Sequence, residues 1–373
     1  MAKAVYLGVN NKARKVKQIY VGVDNKARRV KKGYIGVGGV ARPFWGEGLI
    51  YYGKLTNLSV ARTNLTATTV GNYALFAGGY TAVNVTSSTS TYYNTVDTYN
   101  ASLTKGIATN LTVGRRYLAS TTIGNYALLG GGQNTRGDNT TVDTYNTSLT
   151  KGTATGLASK IRDAAATTVG NYALFAGGCY DNDGWTYPKN VTSYNQSLTR
   201  GTATSLSKGR YDLEGISVGN YALFAGGEGA SSKAYTTVDT YNTSLTKGTA
   251  TDISEGGYGL VSTKLNNYAL IGKINLNAYN ESLTRSIVGT LKRGAYNSAA
   301  ATIGSYAIFA GGDSDYTTAD VFDKSFTRTS IESSLGGVWN LAATTVGKYA
   351  IFAGGGKPTG PHINTAEAYT SEQ

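Results

Sequence analysis

Gly71-Asn72-Tyr73-Ala74-Leu75-Phe76-Ala77-Gly78-Gly79 is a short apolar run bounded by turn residues, and the chain repeats it. Its tyrosine recurs at 126, 172, 221, 268, 306 and 349, giving seven copies 38 to 53 residues apart. Five apolar residues between glycines fit one buried strand, and a fixed period of this size marks a stacked structural unit. Two further anchors share the period. Val96-Asp97-Thr98-Tyr99-Asn100 places an aromatic at 99, 145, 194, 241, 279, 322 and 369, and a Leu or Ile recurs at 111, 157, 206, 253, 291 and 335.

The anchors frame four short strands per unit. Strand A is the Ala/Thr run, as in Ala165-Ala166-Thr167-Thr168-Val169; strand B is Tyr172-Ala173-Leu174-Phe175-Ala176. Strand C is Val142-Asp143-Thr144-Tyr145 and strand D is Gly152-Thr153-Ala154-Thr155. Small residues in A suit crowded strands nearest an axis, and the Gly pair closing B allows positive φ or close backbone approach. The seventh copy stops after strand C at Ala368-Tyr369, while Ile50-Tyr51-Tyr52-Gly53-Lys54-Leu55-Thr56-Asn57-Leu58 aligns with Leu149–Leu157. The N-terminal segment therefore supplies the missing strand D, and closing the ring removes a free sheet edge. The predicted fold is all-β: a seven-bladed β-propeller over residues 47–373, closed by an N-terminal strand and preceded by a small β-hairpin module over 1–46. Forty-nine Gly against four Pro, and 29 Tyr, agree with it.

An apolar strand ending in Gly-Gly, followed by a Tyr and an Asn/Asp turn at a period near 50, resembles the kelch repeat. The resemblance covers 47–373. It departs from that family in lacking the strand D Trp, and the fifth copy carries Lys273-Ile274 where the others have the Gly pair.

Residues 1–46 hold eleven Lys/Arg and one acid, Asp24, so ten of the thirteen net positive charges lie there. The same stretch repeats every 14 residues: Tyr6-Leu7-Gly8-Val9, Tyr20-Val21-Gly22-Val23 and Tyr34-Ile35-Gly36-Val37. Asn10-Asn11, Asp24-Asn25 and Gly38-Gly39 read as hairpin turns. The pattern resembles N-terminal repeats of tail and baseplate-associated proteins of phages and phage-derived tail particles of Gram-positive bacteria. That implies an anchor to a tail or baseplate protein, or a homo-oligomer, a trimer included, rather than a nucleic-acid arm. The basic N-terminus carries no apolar secretory core, so synthesis in a bacterial cytoplasm and release by lysis within a virion or tail particle is expected, without membrane insertion.

The repeats differ almost entirely on one face. From the second Gly to the strand C aromatic, the spacing runs 20, 13, 16, 14, 5, 10 and 14. Eight residues before each strand B glycine stand Thr63, Arg116, Arg162, Tyr211, Tyr258, Tyr296 and Trp339. Seven before stand Asn64, Tyr117, Asp163, Asp212, Gly259, Asn297 and Asn340. The A–B and C–D turns, with Lys105, Lys151 and Lys247, barely change and read as framework. A face that diversifies over a constant frame is expected to read a ligand. The candidate ligand-binding residues are Arg115, Arg116, Tyr117, Arg162, Asp163, Arg210, Tyr211, Asp212, Tyr258, Tyr296, Asn297, Trp339 and Asn340, with Trp185 and Tyr187 from longer loops. Aromatic plates beside short hydrogen-bonding side chains suit sugar rings, and forked arginines suit an anionic glycopolymer. The same set also suits a protein epitope.

Catalysis has little basis. His362 is the single His, which leaves no His triad or multi-His metal centre, and Cys179 is the single Cys. No cofactor or metal is expected. Asp181-Asn182-Asp183-Gly184 lacks the distal Glu of a calcium loop and reads as a turn. Paired carboxylates such as Asp163 and Asp212 leave one opening, glycoside hydrolysis. The expected function is host attachment of a tail-type particle through a cell-surface glycan or surface protein; the alternative is an intracellular kelch-like scaffold for protein interactions.

Overall fold

The computed structural model describes residues 48–82, 90–292, 296–312, 317–357 and 360–371, together with residue 19 and the backbone of six short strands between 6 and 46. Those six strands pair as three antiparallel hairpins: Tyr6–Val9 with Lys12–Lys15, Tyr20–Val23 with Lys26–Arg29, and Lys32–Val37 with Val40–Gly46. The expected turn dipeptides between them lie outside the described residues.

Seven four-stranded antiparallel sheets follow. Blade 1 is Thr66–Val70, Tyr73–Ala77, Val96–Asn100 and Lys105–Ala108. Blades 2 to 6 repeat the order within 119–154, 165–203, 214–250, 261–290 and 298–332. Blade 7 is Ala342–Val346, Tyr349–Ala353 and Ala366–Ser371, completed by Leu49–Lys54 from the other end of the chain. The split blade is thus as the sequence phase requires: Tyr369 sits opposite Tyr51, with ring centroids 5.5 Å apart.

The repeated residues join blade to blade. Each strand C tyrosine crosses to the chain leaving strand D of the blade before it: Tyr145 Oη donates to the Thr109 carbonyl at 2.7 Å, Tyr194 to Thr155 at 2.6 Å and Tyr241 to Thr204 at 2.6 Å. Tyr99 does the same onto Thr56 at 2.6 Å, just past the closing strand. The Gly pair is forced by two close approaches. A Cβ on Gly78 (φ 69°) would lie 2.6 Å from the Arg115 carbonyl of blade 2, and one on Gly79 (φ 98°) 2.8 Å from the Thr63 carbonyl of its own blade. No L side chain fits either place.

The C–D turn is equally determined. Asn146 Oδ1 accepts from the backbone N–H of Ser148 and Thr150 at 3.0 and 2.9 Å, and Leu149 turns the chain at φ 60°. Asn100, Asn195, Asn242, Asn280 and Asp323 repeat the arrangement. The Asn-x-Ser triplets beginning at Asn100, Asn146, Asn195, Asn242 and Asn280 are turn chemistry of this kind.

Candidate functional site: the axial pocket on the variable face

The ring seven residues before each strand B glycine has one backbone state. Asn64, Tyr117, Asp163, Asp212, Gly259, Asn297 and Asn340 all lie between φ 50° and 73°. Asn, Asp and Gly tolerate this left-handed region best, so their abundance here has a conformational cause. The ring is also hydrogen-bonded to itself. The N–H of Tyr117 donates to the Asn64 carbonyl (3.1 Å), Asp163 to Tyr117 (3.3 Å), Asp212 to Asp163 (3.0 Å), Asn64 to Asn340 (3.1 Å) and Asn340 to Asn297 (2.9 Å). Among the described residues, Gly259 and Asn297 make no such donation, and they flank the blade that lacks the Gly pair.

One residue earlier, the D–A connection is pinned to the residue after its own blade's Gly pair. Arg116 and Gln133 exchange backbone hydrogen bonds at 3.0 and 2.9 Å, Arg162 and Cys179 both at 3.0 Å, and Tyr211 and Glu228 at 2.8 and 2.9 Å. The side chains at these positions therefore stand on short antiparallel bridges rather than on loose loops.

Together the rings line a pocket of about 560 Å³ at the propeller axis. It brings together Arg116, Tyr117, Arg162, Asp163, Trp185, Tyr211, Asp212, Asn297 and Asn340 of the expected set, and adds Asn64, Gln133 and Glu214. Arg116 is engaged: its guanidinium donates to Gln133 Oε1 at 2.9 and 3.2 Å and lies 4.2 Å over the Tyr80 ring and 4.8 Å over Tyr117. Arg162 pairs with Asp138 at 3.0 Å and covers the Trp185 ring at 4.6 Å, while Trp185 itself is 56% exposed. Tyr211 donates to Glu228 at 3.0 Å and packs beside Tyr187, 5.7 Å between centroids. Tyr258 and Tyr296 meet edge to face at 4.8 Å just outside the pocket, next in sequence to lining residues Gly259 and Asn297. Trp339 is bridged to Gly356 and does not line the pocket.

Two expected ligand residues are corrected. Arg115 and Arg210 are fully buried and never reach the face: Arg115 pairs with Asp143 at 2.8 Å, Arg210 with Asp239 at 2.9 Å, and Arg62 repeats this with Asp97 at 2.9 Å. Lys151, Lys247 and Lys105 close the same carboxylates from the outer side at 2.8 to 3.0 Å. Desolvated charges inside a sheet stack need such pairing. The signal was present in the sequence: Arg, strand C Asp and strand D Lys occur together in units 1, 2 and 4, whereas unit 3 has Ile161, Thr192 and Arg200.

The pocket wall from blades 3 and 4 is acidic. Burial, together with the charge of Asp212, pushes the Asp163 carboxyl well above the usual range, against the opposing pull of Arg162 and Arg116. Burial and Glu228 raise Asp212 to about 6. Glu214 stands where other units carry Thr, Ala or Val; burial lifts it to about 7, opposed by the Ser262 hydroxyl at 2.6 Å and reinforced by Asp212. This side of the pocket thus carries three carboxyls of raised proton affinity.

These features define a seven-bladed β-propeller with an axial polar pocket. Neither family models nor curated proteins give a match to this chain. Among solved structures it is similar to YjhT, with a TM-score of 0.54 and 11% identity over 84% of this chain and 96% of that one, a likeness of fold.

Proposed function

We propose that the protein is a non-enzymatic recognition module, the receptor-binding component of a phage or phage-tail-like particle, carried by its basic repeat module and reading a cell-surface glycan with the axial pocket. The kelch-like repeat order and the tail-type pattern of residues 1–46 support this reading. The observation that carries it is the pocket itself: blades of near-constant frame place their divergent side chains around one concave, polar, aromatic-edged cavity of about 560 Å³, within the size range of ligand sites. Amide, hydroxyl and carboxyl groups in this number suit a polyhydroxylated ligand. Because Arg116 and Arg162 are already paired and the opposite wall is acidic, a sugar that is uncharged or carries an amine fits better than the anionic polymer that free arginines would favour. The test is adsorption of the purified protein to Gram-positive cells and to their isolated wall polysaccharide; binding to neither removes the reading.

The raised carboxyls favour a second reading, hydrolysis of a glycosidic bond by Asp163, Asp212 or Glu214, since acids tuned this way serve proton transfer. Release of new reducing ends from wall polysaccharide by the parent, and not by Asp212→Asn, would establish it.

A further inference from the structure

The rim of the pocket is uneven. In blades 1 to 4 the B–C connection rises as a small hairpin: Tyr80–Ala82 with Ser90–Tyr92, Gln133–Asn134 with Gly137–Asp138, Tyr180–Asp181 with Trp185–Thr186, and Glu228–Gly229 with Lys233–Ala234. In blade 7 it folds back, Gly356 bridging to His362. Blade 5 differs: strand B ends at Gly272 and strand C begins at Asn275, so only Lys273 and Ile274 connect them. The spacing of 5 residues there compares with 10 or more in every other unit.

Three more features fall at the same angle around the axis. Gly259 is the one ring position without a side chain, and it lines the pocket. The self-bonded ring lacks its link into Gly259 and into Asn297, on either side of blade 5. Just outside, Tyr258 and Tyr296 form a paired aromatic platform with the Lys273 ammonium 4.9 and 5.2 Å from their centroids, and Tyr258 is 38% exposed. The two-residue connection Lys273-Ile274 thus leaves the rim low and adds the Lys273 ammonium to the platform.

We propose that the ligand binds end-on: the terminal sugar of a glycan chain occupies the axial pocket, and the chain leaves over blade 5 across Tyr258, Tyr296 and Lys273. A mid-chain stretch would need two low points in the rim, an entry and an exit, whereas among the described residues blade 5 supplies one. Tyrosine faces stack on successive sugar rings without needing a fixed hydrogen-bond pattern, and an ammonium donates to their hydroxyls. The inference rests on the glycan reading above and specifies its direction.

The experiment uses the full chain and wall polysaccharide cut by graded acid hydrolysis into size classes. End-on binding predicts that shortening the mean chain about tenfold raises the protein bound per mass of polysaccharide, at saturating protein, about tenfold, following chain ends. Tyr258→Ala and Lys273→Ala should weaken binding to chains of several sugars about tenfold while leaving binding to the shortest fragments unchanged. Trp185→Ala, in the pocket, should weaken both. Capacity per mass that is independent of chain length, or long-chain binding by Tyr258→Ala and Lys273→Ala equal to the parent, overturns the end-on mode while leaving recognition standing. If the protein adsorbs to cells but to no polysaccharide of any length, the glycan reading falls and end-on binding with it.

Discussion

The backbone N–H of Asp212 donates to the carbonyl of Asp163 at 3.0 Å, and the carboxyls of the same two residues face one pocket. A single contact between blades 3 and 4 thus ties the frame together and sets two acids side by side. Frame and site are built on the same residues here, so a residue type on the ring can be chosen for its backbone, its side chain, or both.

Closure has a direct consequence. Leu49–Lys54 pairs with Ala366–Ser371 and buries Ile50. Deleting residues 47–58 removes that strand and is expected to lower the melting temperature by about 10 °C or more, several kcal/mol at this size. Deleting 1–44 should leave the melt within about 2 °C of the parent. Calorimetry on the two truncations separates these outcomes.

The buried ion pairs predict a stability effect without a binding effect. Arg115→Ala removes the buried partner of Asp143 and leaves Lys151, at the outer side, as its remaining cation, at a cost of about 3 kcal/mol. Arg115→Met combined with Asp143→Leu should cost less than the two single changes added. Burial raises the Asp143 carboxyl, but Arg115, Thr112 and Lys151 outweigh it and leave it below its ordinary value. Its contribution is therefore complete above the unfolded pKa of about 4 and is lost as pH falls below it. Urea midpoints between pH 5 and 3 should fall more steeply for the parent than for Asp143→Asn.

Glu214 behaves with the opposite sign. Its folded pKa, about 7, lies above the unfolded value, so the folded state binds more protons between about pH 4.5 and 7. Stability from this group is full at low pH and declines as pH rises to about 7. Relative to the parent, Glu214→Gln should gain about 1 to 3 kcal/mol across that window and little below pH 4.5. Parallel urea titrations at pH 4.5 and 7.5 measure the difference.

The fold was legible because its constraints are local and repeated. The Gly pair records two backbone clashes, the Asn of the C–D turn two N–H donors, and the strand C Tyr a carbonyl one blade away; each recurs with every blade, so the period shows them. The site was legible in place and less so in chemistry. Asn297, Asn340, Asp163 and Asp212 were found from their register, yet part of their signal is the left-handed backbone. Arg115 and Arg116 are adjacent in sequence and read alike, but one points into the sheet stack toward Asp143 and the other over Tyr80. Glu214 was missed because it falls inside a strand A that elsewhere carries small or apolar residues. The low rim at blade 5 was visible as a spacing of 5, but its bearing on the pocket needed the ring in three dimensions.

Binding by face-specific variants tests the central claim most directly. Tyr211→Ala, Trp185→Ala and Asn340→Ala line the pocket, while Thr150→Glu and Thr246→Glu lie exposed in C–D turns on the opposite face. Lys105, Lys151 and Lys247 are unsuited as neutral controls because they hold buried carboxylates. Adsorption to host cells should fall about thirtyfold, roughly 2 kcal/mol, for at least one pocket aromatic with an unchanged melt, and stay at the parent level for both C–D variants. Loss of adsorption in the C–D variants, with the pocket variants binding like the parent, would place recognition on the opposite face and contradict the account.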